Sequence, residues 1–249
     1  MEAQPIIETR KLSKNFGALR AVNDVDLKVY PGQIHSIIGP NGAGKTTLFN
    51  LLTGFLSPTS GRITFKGSEI TYLPSFAISR LGIGRSFQIT SIFPDLTVFE
   101  NIRIALQSRA KANYNFIISL RGLRALEDRA MQILQRIGLA DKKTIRARNL
   151  SHGEKRILDI GIGLSIDPSL LLLDEPASGL TGEEISRVIK LVKGAAGSVT
   201  IVLIEHNIDV VLSISDRITV LHQGSVIAED RPDKIKKDPR VQEAYLGGY

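Results

Sequence analysis

Nine residues constrain this chain more than any other stretch: Gly39-Pro40-Asn41-Gly42-Ala43-Gly44-Lys45-Thr46-Thr47. They fit G-x-x-x-x-G-K-[ST], the phosphate-loop pattern. Residues 33–38 ahead of them read as a short buried strand, and residues 47–53 read as a helix stopped by Gly54. A strand–loop–helix aims several backbone N–H groups at one point, and the helix start adds about half a positive charge there. Glycine lets the backbone curl where a Cβ would clash. In such a loop Lys45 reaches the β- and γ-phosphates of ATP and the Thr46 hydroxyl holds Mg²⁺. The expected nucleotide-binding set begins with these nine residues.

Length and charge bound the rest. The chain has 249 residues, enough for one large α/β domain or a core with a small subdomain. It has no cysteine, which removes disulfides and thiolate metal sites. No apolar run reaches the length of a membrane span; the longest, residues 157–173, is broken by Asp159, Asp167 and Pro168. Residues 1–5 carry no basic-then-apolar signal, so a cytoplasmic protein is expected. The net charge is +7, and it is uneven: residues 103–148 hold 11 Lys/Arg and 3 Asp/Glu, an excess of eight. The remainder is close to neutral. That basic stretch is either a set of solvated helix faces or a surface for anionic lipid head groups or an acidic partner.

Taken in order, residues 6–10 and 22–29 read as strands. In the second, Val25, Leu27 and Val29 alternate with Asp24, Asp26 and Lys28. Phe16, before Gly17, is either a core aromatic or a platform for a purine ring. Residues 57–61 form a turn, 62–66 a strand, 74–81 a short helix and 83–87 a strand ending at Gln88. A buried glutamine there needs a partner for its amide, and a metal-bound water is one way to supply it. Residues 97–108 and 121–137 have helical spacing; in the second, Leu123, Leu126, Ala130, Ile133, Leu134 and Ile137 trace one face.

The second half carries the acids. Ser151-His152-Gly153-Glu154 opens a helix, with Ser151 and Glu154 spaced as a capping box. The start of that helix serves either as structure alone or as another anion site. Leu170-Leu171-Leu172-Leu173 is apolar at every position, as in a parallel strand buried on both faces, and it ends in Asp174-Glu175-Pro176. Ligands of open α/β sheets bind beyond the carboxyl ends of the strands. Asp174 is therefore expected in the Mg²⁺ shell, and Glu175, pointing elsewhere, can orient or deprotonate a water. Residues 199–204 form a second buried strand followed by Glu205 and His206, and His206 is a candidate to touch the γ-phosphate. Residues 217–222 and 225–228 read as a hairpin through Gln223-Gly224, before a helical tail. Alternating strands and helices argue a doubly wound α/β core.

With the phosphate loop, Gln88, 150–154, Asp174-Glu175, 178–181 and His206 in this order, the chain resembles the ATP-binding-cassette (ABC) ATPases over nearly its whole length. The resemblance implies an α/β, P-loop NTPase (RecA-like) core with an antiparallel β subdomain and a helical insertion. It divides the chain into 1–92, a first part of the core with the β subdomain; 93–150, the helical insertion; and 151–249, the second part of the core with the tail. It implies that Phe16 stacks on adenine and that Gln88 senses the γ-phosphate and couples to a membrane partner. Ser151, His152, Gly153 and Glu154 form the signature that closes on the nucleotide of the opposing subunit. The metal set becomes Thr46, Gln88 and Asp174, and the catalytic set Lys45, Glu175 and His206. Within that family the chain looks most like the ATP-binding subunits of branched-chain amino acid and urea-type importers, on Gly39-to-Gly54, Gly84-to-Gln88 and Ala244-Tyr245-Leu246-Gly247.

The signature departs from Leu-Ser-Gly-Gly-Gln at His152 and Glu154, and the following turn ends in Thr181 where aspartate is common. Both changes fit an asymmetric pair with a different ATPase subunit. The implied protein is a peripheral subunit on the cytoplasmic face of the membrane. It uses ATP and Mg²⁺, and its partners are permease subunits, a second ATPase subunit (the same chain or another) and, indirectly, a solute-binding protein. No nucleic acid is expected. The rival readings are soluble ABC ATPases of DNA or chromatin maintenance and of cofactor assembly. Only 62 residues lie between Gln88 and Ser151, too few for the long coiled coil of the former.

Overall fold

The computed structural model describes residues 4–86, 92–109 and 120–246. Along the chain, β1 (Ile7–Phe16) and β2 (Leu19–Val29) form a hairpin. Next come β3 (Ile34–Ile38), α1 (Lys45–Leu52), β4 (Ser60–Phe65), β5 (Ser68–Glu69), α2 (Ser75–Arg80) and β6 (Ile83–Arg85). Three helices follow: α3 (Val98–Arg109), α4 (Leu120–Arg136) and α5 (His152–Ser165). The chain continues through β7 (Leu170–Asp174), α6 (Gly182–Ala195), β8 (Thr200–Ile204), α7 (Ile208–Ile214), β9 (Arg217–His222) and β10 (Ser225–Asp230). The short α8 (Pro232–Ile235) and α9 (Pro239–Leu246) are last among the described residues.

Two sheets result. One is antiparallel, in the order β2-β1-β4-β5; the other runs β10-β9-β3-β8-β7-β6 and is parallel except for the β9–β10 hairpin. Every residue of β3, β7 and β8 is buried. The pleat sends alternate side chains to opposite faces. Leu170 and Leu172 join α1 and the antiparallel sheet in one core, while Leu171 and Leu173 join α3 to α6 in another. The leucine run therefore serves two cores at once, which is why it shows no alternation.

The helical segment packs as its sequence predicts. Ala130, Ile133 and Leu134 of α4, with Ile137 just after it, are buried against α3 and α5, with Leu126 at their margin. The side chain of Leu123 lies outside the described residues. Part of the basic excess is satisfied internally: Arg129 pairs with Asp167 at 2.6 Å, Arg148 with Asp95 at 2.8 Å, and Arg136 reaches the Gly194 carbonyl.

The first hairpin is longer than expected. β1 continues to Phe16, past the expected stop at residue 10, with irregular register between Thr9 and Asn15. Lys11 to Asn15 lack the alternation that marks a strand. Polar groups hold them in place instead: Asp26 accepts from the Lys11 N–H at 2.6 Å and Thr59 from the Asn15 N–H at 3.0 Å.

His35, fully buried in β3, is the least expected core residue. Its Nε2 lies 2.7 Å from Thr219 Oγ1, and Gln33 Nε2 lies 3.4 Å from its Nδ1. Thr219 donates on to Glu229 at 3.1 Å, and Glu229 also pairs with Arg217. Burial, with the Arg217 charge adding to it, pushes His35 down to about 3. The folded chain thus keeps His35 neutral where the unfolded chain, titrating near 6.5, takes up a proton. Stability should be undiminished above pH ~6.5 and fall by up to about 1.4 kcal/mol per unit as pH drops from there toward 3. Denaturant melts at a series of pH values check this: His35→Gln should flatten the slope over that window.

Candidate functional site

The site forms where β3, β8, β7 and β6 release the chain on one edge of the parallel sheet. The order β3-β8-β7-β6 sets the phosphate loop, the Glu205-His206 turn, the Asp174-Glu175 turn and the Arg85 end side by side. At two of its glycines the loop packs too tightly for a side chain. A Cβ on Gly39 would lie 2.1 Å from the Leu221 carbonyl, and one on Gly44 would lie 2.2 Å from the Ala21 carbonyl. Gly44, at φ +98°, caps α1 with no side chain over the helix start. Lys45 is buried, and its Nζ donates to the carbonyls of Gly39 and Pro40 at 2.7 and 2.9 Å. Burial lowers its pKa, opposed by the nearby charges of Glu175 and Asp174. Thr46 and Thr47 follow at the head of α1, with Thr46 exposed.

Asp174 is 1% exposed. Its Oδ2 meets Arg85 Nη2 at 3.2 Å, and Arg85 in turn donates to Asn50 Oδ1 at 2.6 Å and Thr53 Oγ1 at 3.2 Å on α1. Its Oδ1 has no hydrogen-bond partner. Burial raises the Asp174 pKa, with Arg85 opposing and Glu175 adding repulsion. A buried carboxylate with one oxygen tied and one unsatisfied calls for a cation. Among the described residues no cluster of three or more His or acidic side chains builds a complete metal cage. One carboxylate and one hydroxyl instead fit Mg²⁺, which takes few protein ligands and completes its shell with water and phosphate.

Glu175 stands in the left-handed region, φ +49°. Its carboxylate hydrogen-bonds His206 Nε2, and the His206 side chain is 44% exposed. Glu205, buried one residue earlier, was not singled out in the sequence. Its Oε1 accepts from the Ala177 N–H at 2.6 Å and its Oε2 from the His206 N–H at 3.2 Å. Burial raises its pKa against these amides. One carboxylate thus ties the turn after Glu175 to the turn carrying His206.

Other expected residues stand apart from this group. Phe16 is 47% exposed at the hairpin tip with Lys14 Nζ 5.3 Å from its ring centre, so the core-aromatic reading fails. The hairpin strand β2 reaches the loop through Ala21, whose carbonyl faces Gly44. Gln88 lies outside the described residues. Ser151 caps α5: its Oγ accepts from the Glu154 N–H at 3.2 Å, while Glu154 Oε2 accepts from the Ser151 N–H at 3.1 Å. Gly153 donates to Glu184 Oε1 at 3.2 Å, and Glu154 also pairs with Lys142. His152 is exposed; its Nε2 would lie 3.5 Å from a Cβ on Gly179. The polar contacts of this group thus run between the starts of α5 and α6 and out to Lys142.

The C-terminal stretch contributes Tyr245. Its ring packs in the cluster around Ile38 and Val220, with its hydroxyl near the Gly39 amide. Burial pushes it up to about 12. The sequence signal was the stretch Ala244 to Gly247, legible only as a resemblance; Gly247 lies outside the described residues.

A phosphate loop at the edge of a buried parallel sheet, faced by an acid pair, defines a P-loop nucleotide-binding protein. Comparison with known proteins narrows this. Residues 22–178 match the family model described as ABC transporter, and residues 225–249 match a model described as branched-chain amino acid ATP-binding cassette transporter. The chain is 40% identical over 252 residues to the high-affinity branched-chain amino acid transport ATP-binding protein LivG of Escherichia coli, covering 98% of this chain and 99% of LivG. It is 40% identical over 254 residues to the corresponding protein BraF of Pseudomonas aeruginosa, with the same coverage. Its fold is similar to the ADP conformation of MJ1267, an ATP-binding cassette of an ABC transporter, with a TM-score of 0.85, 30% identity, and 98% and 99% of the two chains covered. The chain belongs to the ABC transporter family and is an ATP-binding, ATP-hydrolysing subunit within it.

The Arg85–Asp174 pair gives a first test of the site. Arg85→Met leaves Asp174 buried without its cation and should cost about 3 kcal/mol in denaturant melts. Saturating ATP with Mg²⁺ should recover more of that loss than ATP with EDTA.

Proposed function

We propose that this chain energises an importer of branched-chain amino acids or similar small polar solutes, bound to the cytoplasmic face of the membrane through permease subunits. The names of LivG and BraF support the solute class. The observation that carries the chemistry is the buried Asp174, its one unsatisfied oxygen turned to no partner, in the charge field of Lys45 and beside the Glu175–His206 pair.

Lys45 leaves the loop carbonyls for the β- and γ-phosphates, while the backbone amides from Asn41 to Thr47 cradle them. Phe16 stacks on the adenine. Thr46 and Asp174, with Gln88, would hold Mg²⁺, which would supply charge neutralisation at the phosphates. Glu175 orients the attacking water and holds its proton, and His206 fixes the Glu175 carboxylate and contacts the γ-phosphate. Catalysis is mainly positioning and electrostatics. Ser151, His152, Gly153 and Glu154 face the nucleotide of a second ATPase subunit, identical or different.

For the permease, the surface offers a groove of about 390 Å³ between α1–α2 and α3–α5. Phe55, Phe76 and Phe93 line it and are more than half exposed. Exposed aromatics gathered in one concave site mark a place for a partner. Arg85 lies in its wall and joins it to Asp174.

Two measurements test this reading. Lys45→Ala should lower ATP affinity at least about tenfold, and Glu175→Gln should stop turnover while ATP still binds; unchanged affinity or normal turnover would remove those roles. Phe76→Asp should abolish co-purification with membrane permeases and leave ATP binding intact. Retention of the permeases, or capture of nucleic acid in their place, would overturn the partner assignment.

A further inference from the structure

Arg156 has no part in the site described so far, yet it is buried and aimed at it. It lies on α5, in the turn after the capping box. Its side chain crosses to the loop that leaves β7. Nε donates to the Pro176 carbonyl at 3.2 Å; Nη2 donates to the Asp174 carbonyl at 2.8 Å and to the Glu175 carbonyl. Nη1 lies 4.0 Å from Asp159 Oδ2, another buried group on α5. One planar fork therefore addresses three consecutive carbonyls. A guanidinium presents its donors in fixed directions, so it can hold a peptide's orientation in a way that a lone donor cannot.

The peptide held is an unusual one. Glu175 is a non-glycine residue at φ +49°, a conformation that persists only where the surroundings enforce it. The Ile204 carbonyl accepts its N–H at 2.9 Å, and Arg156 takes the carbonyl on its other side. The β8 contact belongs to the rigid sheet. The Arg156 contact belongs to α5, whose start carries Ser151 and His152 at the surface and Gly153 buried against Glu184. The direction of the Glu175 carboxylate is thus set jointly by the sheet and by the signature helix.

We propose that Arg156 is a positioning residue that couples the seating of α5 to the placement of the Glu175 carboxylate. This deepens the reading of Glu175 as the base and rests on it.

The test uses the full chain in the assembly with which it co-purifies. It compares Arg156→Gln and Arg156→Lys with wild type for ATP hydrolysis and for ADP affinity. In Arg156→Gln, kcat should fall about 10- to 100-fold while KM and ADP affinity stay within about twofold, the signature of lost alignment at a distance. Lys, with donors but no fork, should restore part of kcat. An unchanged kcat in Arg156→Gln overturns the proposal. So does a parallel loss of kcat and ADP affinity in both variants, which marks general damage to the fold. Should Arg156→Gln not fold, Arg156→Lys decides alone by the same split. Absence of hydrolysis in wild type would instead refute the ATPase reading itself, and ADP affinity would still report the fold.

Discussion

Carboxylates are costly to bury, and this molecule buries two at the ends of strands sealed on both faces. Asp174 closes β7 and Glu205 follows β8. Water cannot solvate either, so the protein must. Arg85 does so for one oxygen of Asp174; the amides of Ala177 and His206 do so for Glu205. In each case the group that pays for burial also fixes a loop. Arg85 reaches back to α1, so the acid end of β7 and the helix after the phosphate loop share one guanidinium. Glu205 ties together the two turns that carry Glu175 and His206. The placement of the nucleotide site therefore follows from satisfying charges that the sheet would otherwise exclude.

Much of this was legible in the sequence, because the legible parts have local causes. The phosphate loop is a contiguous string whose backbone conformation requires glycine. The Leu170 to Leu173 run announces a strand covered on both sides. The spacing of Ser151 and Glu154 announces a helix start, and the capping box forms. What escaped depends on contacts between distant residues. Arg85, Arg156 and Glu205 read as ordinary charged residues until their partners are known, because nothing in the local pattern distinguishes a buried arginine from a solvated one. Lys11 to Asn15 escaped as a strand because side-chain acceptors, rather than alternation, secure it. Phe16 could not be placed from its type alone, since a hairpin tip and a core both accept phenylalanine.

The departures in the signature and the following turn have local physical roles. Thr181 caps α6: its N–H and hydroxyl both lie 3.0 Å from Glu184 Oε2. The other oxygen of Glu184 accepts the Gly153 N–H. One carboxylate thus serves the starts of two helices, and its pKa is lowered chiefly by the Thr181 amide and hydroxyl. His152 packs near Gly179 in the connecting turn. The starts of α5 and α6 are therefore braced against each other.

The sheet order also governs how the protein comes off the ribosome. β3 carries the phosphate loop, yet both of its neighbours, β8 and β9, are translated only after residue 199. Pairings this distant in sequence form late and slowly. A nascent chain that has emerged only through Lys45 has no flanking strands to shape its loop; the grip on nucleotide is completed by residues about 160 positions further on.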